Sequence, residues 1–151
     1  MAGLTQAMCT SFKVQLLTGA QNFTNGASPA YKIALFKAGA SITGTYGAAT
    51  TNYSNMTGNS DELPNGSGYT TGGNTLVNVT PTSSGTTAYV DFNDTSWSSA
   101  TFTTRGALIY QASTGYAVCV LDFVTDQVVS SGTFTIVFPT AGAGTAIIQI
   151  A

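Results

Sequence analysis

Arg105-Gly-Ala-Leu-Ile-Tyr110 and Ala117-Val-Cys-Val-Leu-Asp-Phe123, with Ser113-Thr-Gly115 between them, decide the fold class. Each run is short, apolar and rich in β-branched or aromatic residues, and the residues between are turn formers, so the pair predicts two antiparallel strands. The same cadence continues on both sides. Thr75-Leu-Val-Asn-Val79, Thr87-Ala-Tyr-Val-Asp-Phe92, Thr133-Phe-Thr-Ile-Val-Phe138 and Ala146-Ile-Ile-Gln-Ile150 are further strand segments. They are set apart by Ser83-Ser-Gly85, Asn93-Asp94, Ser130-Ser-Gly132 and the stretch from Pro139 to Gly144. With Tyr31-Lys-Ile-Ala-Leu-Phe-Lys37 they make seven or eight strands, the reading of an all-β antiparallel β-sandwich in a single domain over residues 1–151. Tyr31, Ile33 and Leu35 share one face of their strand while Ala34 and Phe36 fill the other, which predicts a central strand. No repeat of fixed period argues for a solenoid or propeller.

Two segments depart from this pattern. Thr10 to Gly19 places Phe12, Leu16 and Gly19 on one helical face, with Ser or Thr available as N-cap and Gly as a stop. A helix of two to three turns is marginal alone, so this N-terminal arm, residues 1–20, is expected to dock on the sheet or on a neighbouring subunit. Residues 38–74 are dominated by Gly, Ser, Thr, Asn and Ala, with Tyr46, Tyr53, Met56, Leu63 and Tyr69 dispersed among them. Loops of that length are uncommon in compact domains. The segment reads either as a contact loop lying on another subunit or as a loop covering the protein's own core.

Composition narrows the chemistry. The 151 residues hold 4 Lys+Arg, 6 Asp+Glu and no His, 7% charged side chains against about 25% in an ordinary globular domain. Without His there is no Ser-His-Asp triad and no imidazole metal ligand. Lys13, Lys32, Lys37 and Arg105 cannot neutralise a run of phosphates, so neither nucleic acid nor an anionic membrane is an expected partner. No apolar run is long enough to span a bilayer, and the first residues lack a basic leader region, so synthesis in the cytoplasm without classical export is expected. Cys9 and Cys119 are too few for a disulfide framework or a zinc site. Cys119 reads as a small buried hydrophobe and Cys9 as a free thiol.

No catalytic, cofactor-binding or metal-binding residues are assigned. Asp91-Phe-Asn-Asp94 offers oxygen ligands but lacks the twelve-residue calcium loop and its distal Glu, and it reads as an Asx-type turn. Nothing in the spacing selects a pair of carboxylates for glycoside cleavage. Trp97 and the dispersed tyrosines could stack on sugars, as in a carbohydrate-binding module, although a Trp at this place usually belongs to the core. Arg105, the one arginine, reads as the partner of Asp91, Asp94 or Asp122. Trp97 and Arg105 are therefore expected to be structural.

Read in order, Phe12-Lys, Tyr31-Lys-Ile-Ala-Leu-Phe36, Gly66-Ser-Gly-Tyr-Thr-Thr-Gly-Gly73, Val90-Asp-Phe-Asn-Asp94 with Trp97, Ala100-Thr-Phe-Thr-Thr-Arg-Gly-Ala-Leu-Ile-Tyr110, Ala117 to Phe123 and Gly132-Thr-Phe-Thr-Ile-Val-Phe-Pro139 resemble a family of small virion proteins of tailed bacteriophages. The resemblance covers the chain from about residue 9 onward, with Cys119 standing where a small aliphatic residue would serve. It implies a non-enzymatic virion protein without cofactors: a capsid decoration or cement protein bound to the major capsid protein and to copies of itself at the head surface. A tail, fibre or adaptor component is the related alternative. On this reading partner contacts are expected at Phe12, Leu16 and Leu17, at Tyr46, Tyr53 and Met56, and at Tyr69.

Overall fold

The computed structural model describes residues 2–24 and 30–151. Its strands are β1 (Gly3–Leu4), β2 (Ala7–Met8), β3 (Tyr31–Leu35), β4 (Thr45–Tyr46), β5 (Asn74–Leu76), β6 (Thr82–Ser84), β7 (Thr87–Val90), β8 (Thr95–Gln111), β9 (Ala117–Ile136) and β10 (Ile148–Ile150). Its helices are α1 (Thr10–Leu17) and α2 (Tyr53–Gly58). A five-stranded sheet has the order β2-β9-β8-β3-β5, a three-stranded sheet the order β10-β7-β6, and β1 pairs with β4. All pairings are antiparallel except β1 with β4. The all-β sandwich-type fold follows from how these sheets meet: Phe92, just past β7, reaches across to Tyr31 of β3 at 6.1 Å and to Phe138 at 5.7 Å.

β3 lies inside the five-stranded sheet, between β8 and β5, with Ile33, Ala34 and Leu35 fully buried. That is the environment its two apolar faces demand. The hairpin read from the opening motifs is the turn end of a longer ribbon, in which β8 and β9 run for 17 and 20 residues. The turn expected at Ser130-Ser-Gly132 is not a turn. Ser131 has φ +49° and Ser99 φ +50°, and the register between the two strands slips on both sides of Ala100, so the ribbon continues through a bulged corner. A second irregularity lies where Gly106 pairs with Asp122 while Thr104 pairs with Gln127. These corners fold the ribbon on itself, so that Phe102 and Phe134 stand 5.5 Å apart, as do Phe123 and Phe134 at 6.1 Å, although 123 and 134 are distant along β9. Strands that turn corners at bulges are how one ribbon serves both layers of a sandwich.

α1 begins at Thr10 as expected, but its N-cap is Cys9, which makes no side-chain cap. It ends at Leu17 and is followed by Gly19 at φ +72°, the left-handed position that favours glycine. The helix docks on its own sheet: Phe12 is fully buried, edge-on to Phe23 at 5.9 Å, and Phe23 stacks on Tyr31 at 4.3 Å. Asn22-Phe-Thr-Asn-Gly-Ala-Ser-Pro29 has the composition of a turn; residues 25–29 lie outside the described residues, and in the rest the Thr24 N–H donates to Asn22 Oδ1 at 2.9 Å.

Residues 38–74 cover the protein's own core. Ile42, Tyr46, Met56, Leu63 and Tyr69 are all buried. Their segment carries β4 and the second helix, α2, which the sequence reading lacks. Asn52 starts α2 by accepting from the Ser54 N–H at 2.9 Å, while Asn55 Oδ1 accepts from the Asn52 N–H at 3.0 Å. This reciprocal pair is a capping box built from two asparagines.

Candidate functional site

Two adjacent buried carboxylates hold the covering segment down. Residues 61–63 run beside the end of β3, where the Lys37 N–H donates to the Asp61 carbonyl and the Leu63 N–H to the Leu35 carbonyl, each at 2.9 Å. Because alternate side chains point opposite ways, neighbouring Asp61 and Glu62 serve two different groups of partners. Asp61, fully buried, accepts from the Thr43 and Gly44 N–H groups at 2.9 and 2.8 Å and from the Tyr46 hydroxyl at 2.6 Å. Glu62 accepts from the Tyr53 hydroxyl at 2.5 Å, the Tyr69 hydroxyl at 2.7 Å and the Gly72 N–H at 2.6 Å. Tyr53 stacks on Tyr110 at 4.3 Å, and Tyr110 donates to the Gly72 carbonyl at 2.8 Å. A segment short of apolar residues is thus ordered by polar groups converging on two anions.

The electrostatics follow from those bonds. Burial pushes the Asp61 carboxyl up, but the Tyr46 hydroxyl and the Thr43 and Gly44 amides outweigh it and leave it below its ordinary 3.8. Burial, reinforced by the neighbouring carboxylate, raises the phenols in turn: Tyr46 is pushed up to about 12, and Tyr53 and Tyr69 are raised further. All three are neutral donors at any physiological pH. With each carboxylate accepting at least three hydrogen bonds from within the chain, this cluster is a structural hub.

Phe12, Tyr46, Met56 and Tyr69 therefore correct the contact reading: each is buried in this chain's own core and presents no surface to a partner. Leu16 and Tyr53 are partly buried against the same core. Leu17 alone of the seven is open, at 90% exposure, because it falls on the outward face of α1. Trp97 is 4% exposed and packs between Tyr69 and Phe134, at 6.3 and 5.9 Å. Of the aromatic side chains that a sugar-stacking reading relies on, Trp97, Tyr46 and Tyr69 are buried in the core and Tyr53 is partly buried against it.

Arg105 pairs with Asp122, Nε to Oδ1 2.9 Å, at the corner where β8 and β9 slip register. The pair is partly open, with side chains 31% and 17% exposed, so solvent screens it. Burial pushes Asp122 up, but the Arg105 guanidinium and the Val124 N–H outweigh it and hold the carboxyl below 3.8. A depressed folded-state pKa stabilises the fold above the unfolded value, and that contribution disappears as pH falls through the folded value. Arg105→Ala is expected to cost about 1 kcal/mol, a loss of about 2–4 °C in Tm at pH 7. The difference from wild type should shrink in melts run progressively below pH 3.8, where Asp122 becomes protonated in both chains.

Asp91 and Asp94 do not form the expected Asx turn. Asp91, 1% exposed, accepts from the next N–H, that of Phe92, at 2.8 Å; burial, then the charge of Asp94, pushes its carboxyl up. Asp94 reaches across to accept from the Phe138 N–H at 2.9 Å. Among the described residues no three His, Cys, Asp or Glu side chains gather as a metal ion requires. Cys9 and Cys119 are buried free thiols, pushed by burial up to about 11 and about 12. Both are too protonated near neutral pH to be nucleophiles.

The features missed by sequence reasoning lie on the surface. Val124, Val128 and Val137 are 72–74% exposed, and Val137 lines a groove of about 330 Å³ with Phe123, Gln127, Phe134, Thr135 and Ile136. The only signal in the sequence was a run from Gln127 to Ala151 without a charged residue. Comparison of the chain with protein-family models, with curated proteins and with solved structures found no match.

Proposed function

We propose that this chain is a non-enzymatic structural protein of a bacteriophage particle, a capsid decoration or cement protein that binds major capsid subunits on the head surface and stabilises the shell. One observation carries the reading. All six carboxylates are spent on the fold: Asp61, Glu62, Asp91, Asp94, Asp122 and Asp126 each accept a hydrogen bond from this chain. Large apolar side chains, meanwhile, stand outside it. Such a molecule has its carboxylates in scaffolding and its free surface in adhesion, and an array of weak contacts repeated by symmetry binds with avidity. The order of motifs that resembles small virion proteins supplies the setting.

The test is to add the purified chain to heads assembled without it. Saturable occupancy and a higher temperature of head disruption are expected. Leu17→Asp should lower occupancy about tenfold at limiting concentration, as loss of an apolar contact does. It should leave the free protein's stability within about 0.5 kcal/mol, because the side chain is solvated in the free fold. No association of the wild-type chain with heads at any concentration would overturn the reading.

A further inference from the structure

Asp91 is the only carboxylate among the described residues with a buried oxygen left unpaired. The residue is 1% exposed, and its Oδ1 accepts from the Phe92 N–H at 2.8 Å, but its Oδ2 has neither water nor a hydrogen-bond partner. A buried anion with an unanswered oxygen costs far more than the neutral acid in the same place. Asp94 adds to the cost: both aspartates line one cavity of about 640 Å³, and the charge of Asp94 opposes a second one. No basic group answers them. Residues 74–104 and 127–151, which include β5, β6, β7, β10 and the adjoining parts of β8 and β9, hold no charged side chain besides these two, and Tyr89 is the only other titratable one. Across the sandwich, Tyr31 lies 6.1 Å from Phe92, and burial raises its phenol to about 12, so it stays neutral.

The place of Asp91 in the sheet decides what this cost acts on. In the antiparallel pairing of β10 with β7, Ile148 faces Val90, and one step further the same register sets Ile147 opposite Asp91. The Ile147 amide favours the anion without hydrogen-bonding to it. β10 is a three-residue strand at the edge of a three-stranded sheet, so few bonds hold it and it opens at small cost. We propose that Asp91 is a pH-operated latch on β10: with the carboxyl protonated the strand is closed on β7, and with the carboxylate formed it opens more readily, because opening hydrates the anion. Burial first, and Asp94 after it, raise the carboxyl above its ordinary 3.8 against the pull of the Phe92 and Ile147 amides. With the folded-state value raised, the penalty is absent below 3.8, grows as pH rises through the folded value and is fully present beyond it. Asp61 and Asp122, both held low, change charge at lower pH and leave this range to Asp91.

Nuclear magnetic resonance of the full chain tests the latch without any particle. The Asp91 Cγ resonance should titrate with a midpoint above 3.8. Protection of the β10 amides, measured as exchange relative to an unstructured peptide at the same pH, should fall about tenfold from about pH 4 to about pH 7, while β3 and β8 amides keep theirs. In Asp91→Asn the β10 protection should be independent of pH over that range. The same variant should gain about 3–6 °C in Tm at pH 7, a gain that vanishes once pH falls below 3.8. Asp94→Asn, which keeps an acceptor for the Phe138 N–H, should bring the Asp91 midpoint down. A Cγ midpoint at or below 3.8, wild-type β10 protection that ignores pH, or a loss of protection shared equally by β3 and β8 would each overturn the proposal.

Discussion

Gly73→Ala is expected to be among the most damaging single-methyl changes in this chain, costing at least about 4 kcal/mol and lowering Tm by about 10–15 °C or preventing folding. Gly73 lies where the covering segment returns to the sheet, at φ +68°, and its backbone passes directly against β3. A β-carbon there would overlap the Ile33 carbonyl oxygen and stand 2.6 Å from its carbon and 2.8 Å from Ala34 Cα. The obstructing atoms are backbone of the buried central strand, which cannot move without breaking its pairing with β8 and β5. Left-handed strain adds about 1–2 kcal/mol for a residue with a side chain. Gly85→Ala is the control, since it has a similar φ of +58° but open space around the added carbon, and it should cost only the strain. Thermal denaturation of the two variants checks the argument; equal losses would show that the close approach to β3 is not decisive.

The second large effect is expected at Glu62. In Glu62→Gln one acceptor oxygen becomes an NH2 donor, which would face the Tyr69 hydroxyl and the Gly72 N–H at the Oε1 position or the Tyr53 hydroxyl at the Oε2 position, all of which now donate to the carboxylate. At least one buried donor is left without an acceptor, and the charge that strengthened the remaining bonds is gone, so about 2–4 kcal/mol is expected, or about 6–12 °C in Tm. Hydrogen exchange adds the local signature: the Gly72 amide should lose protection more than the amides of β3 and β8. An unchanged Tm with unchanged Gly72 protection would mean that the carboxylate does not hold the segment.

These two positions also show what the sequence could and could not convey. Periodicity announced β3, because a strand buried on both faces is apolar at every position, and it announced α1 through Phe12 and the stop at Gly19. The bulged ribbon was less legible. Ser-Ser-Gly132 has turn composition whether the chain reverses there or only kinks, and nothing local tells that Ser131 and Ser99 would meet at one corner. The covering segment was hidden for a different reason. Its order comes from Asp61 and Glu62, and a buried carboxylate looks like a surface one until its donors are assembled from Thr43, Gly44, Tyr46, Tyr53, Tyr69 and Gly72. The same blindness misplaced the contacts: the aromatic residues scattered through that segment were read as facing a partner, whereas the carboxylates draw three of those tyrosines onto the core. What remained for the surface was a set of valines in a segment read only as strand and turn.

The most direct test of an adhesive protein whose carboxylates are engaged by its own fold is an electron cryo-microscopy map of heads saturated with the chain. The account predicts copies at symmetry-related sites on the outer shell and Leu17 turned toward the major capsid protein. Heads that carry no density for the chain after saturation, with the added protein recovered intact in solution, would contradict it.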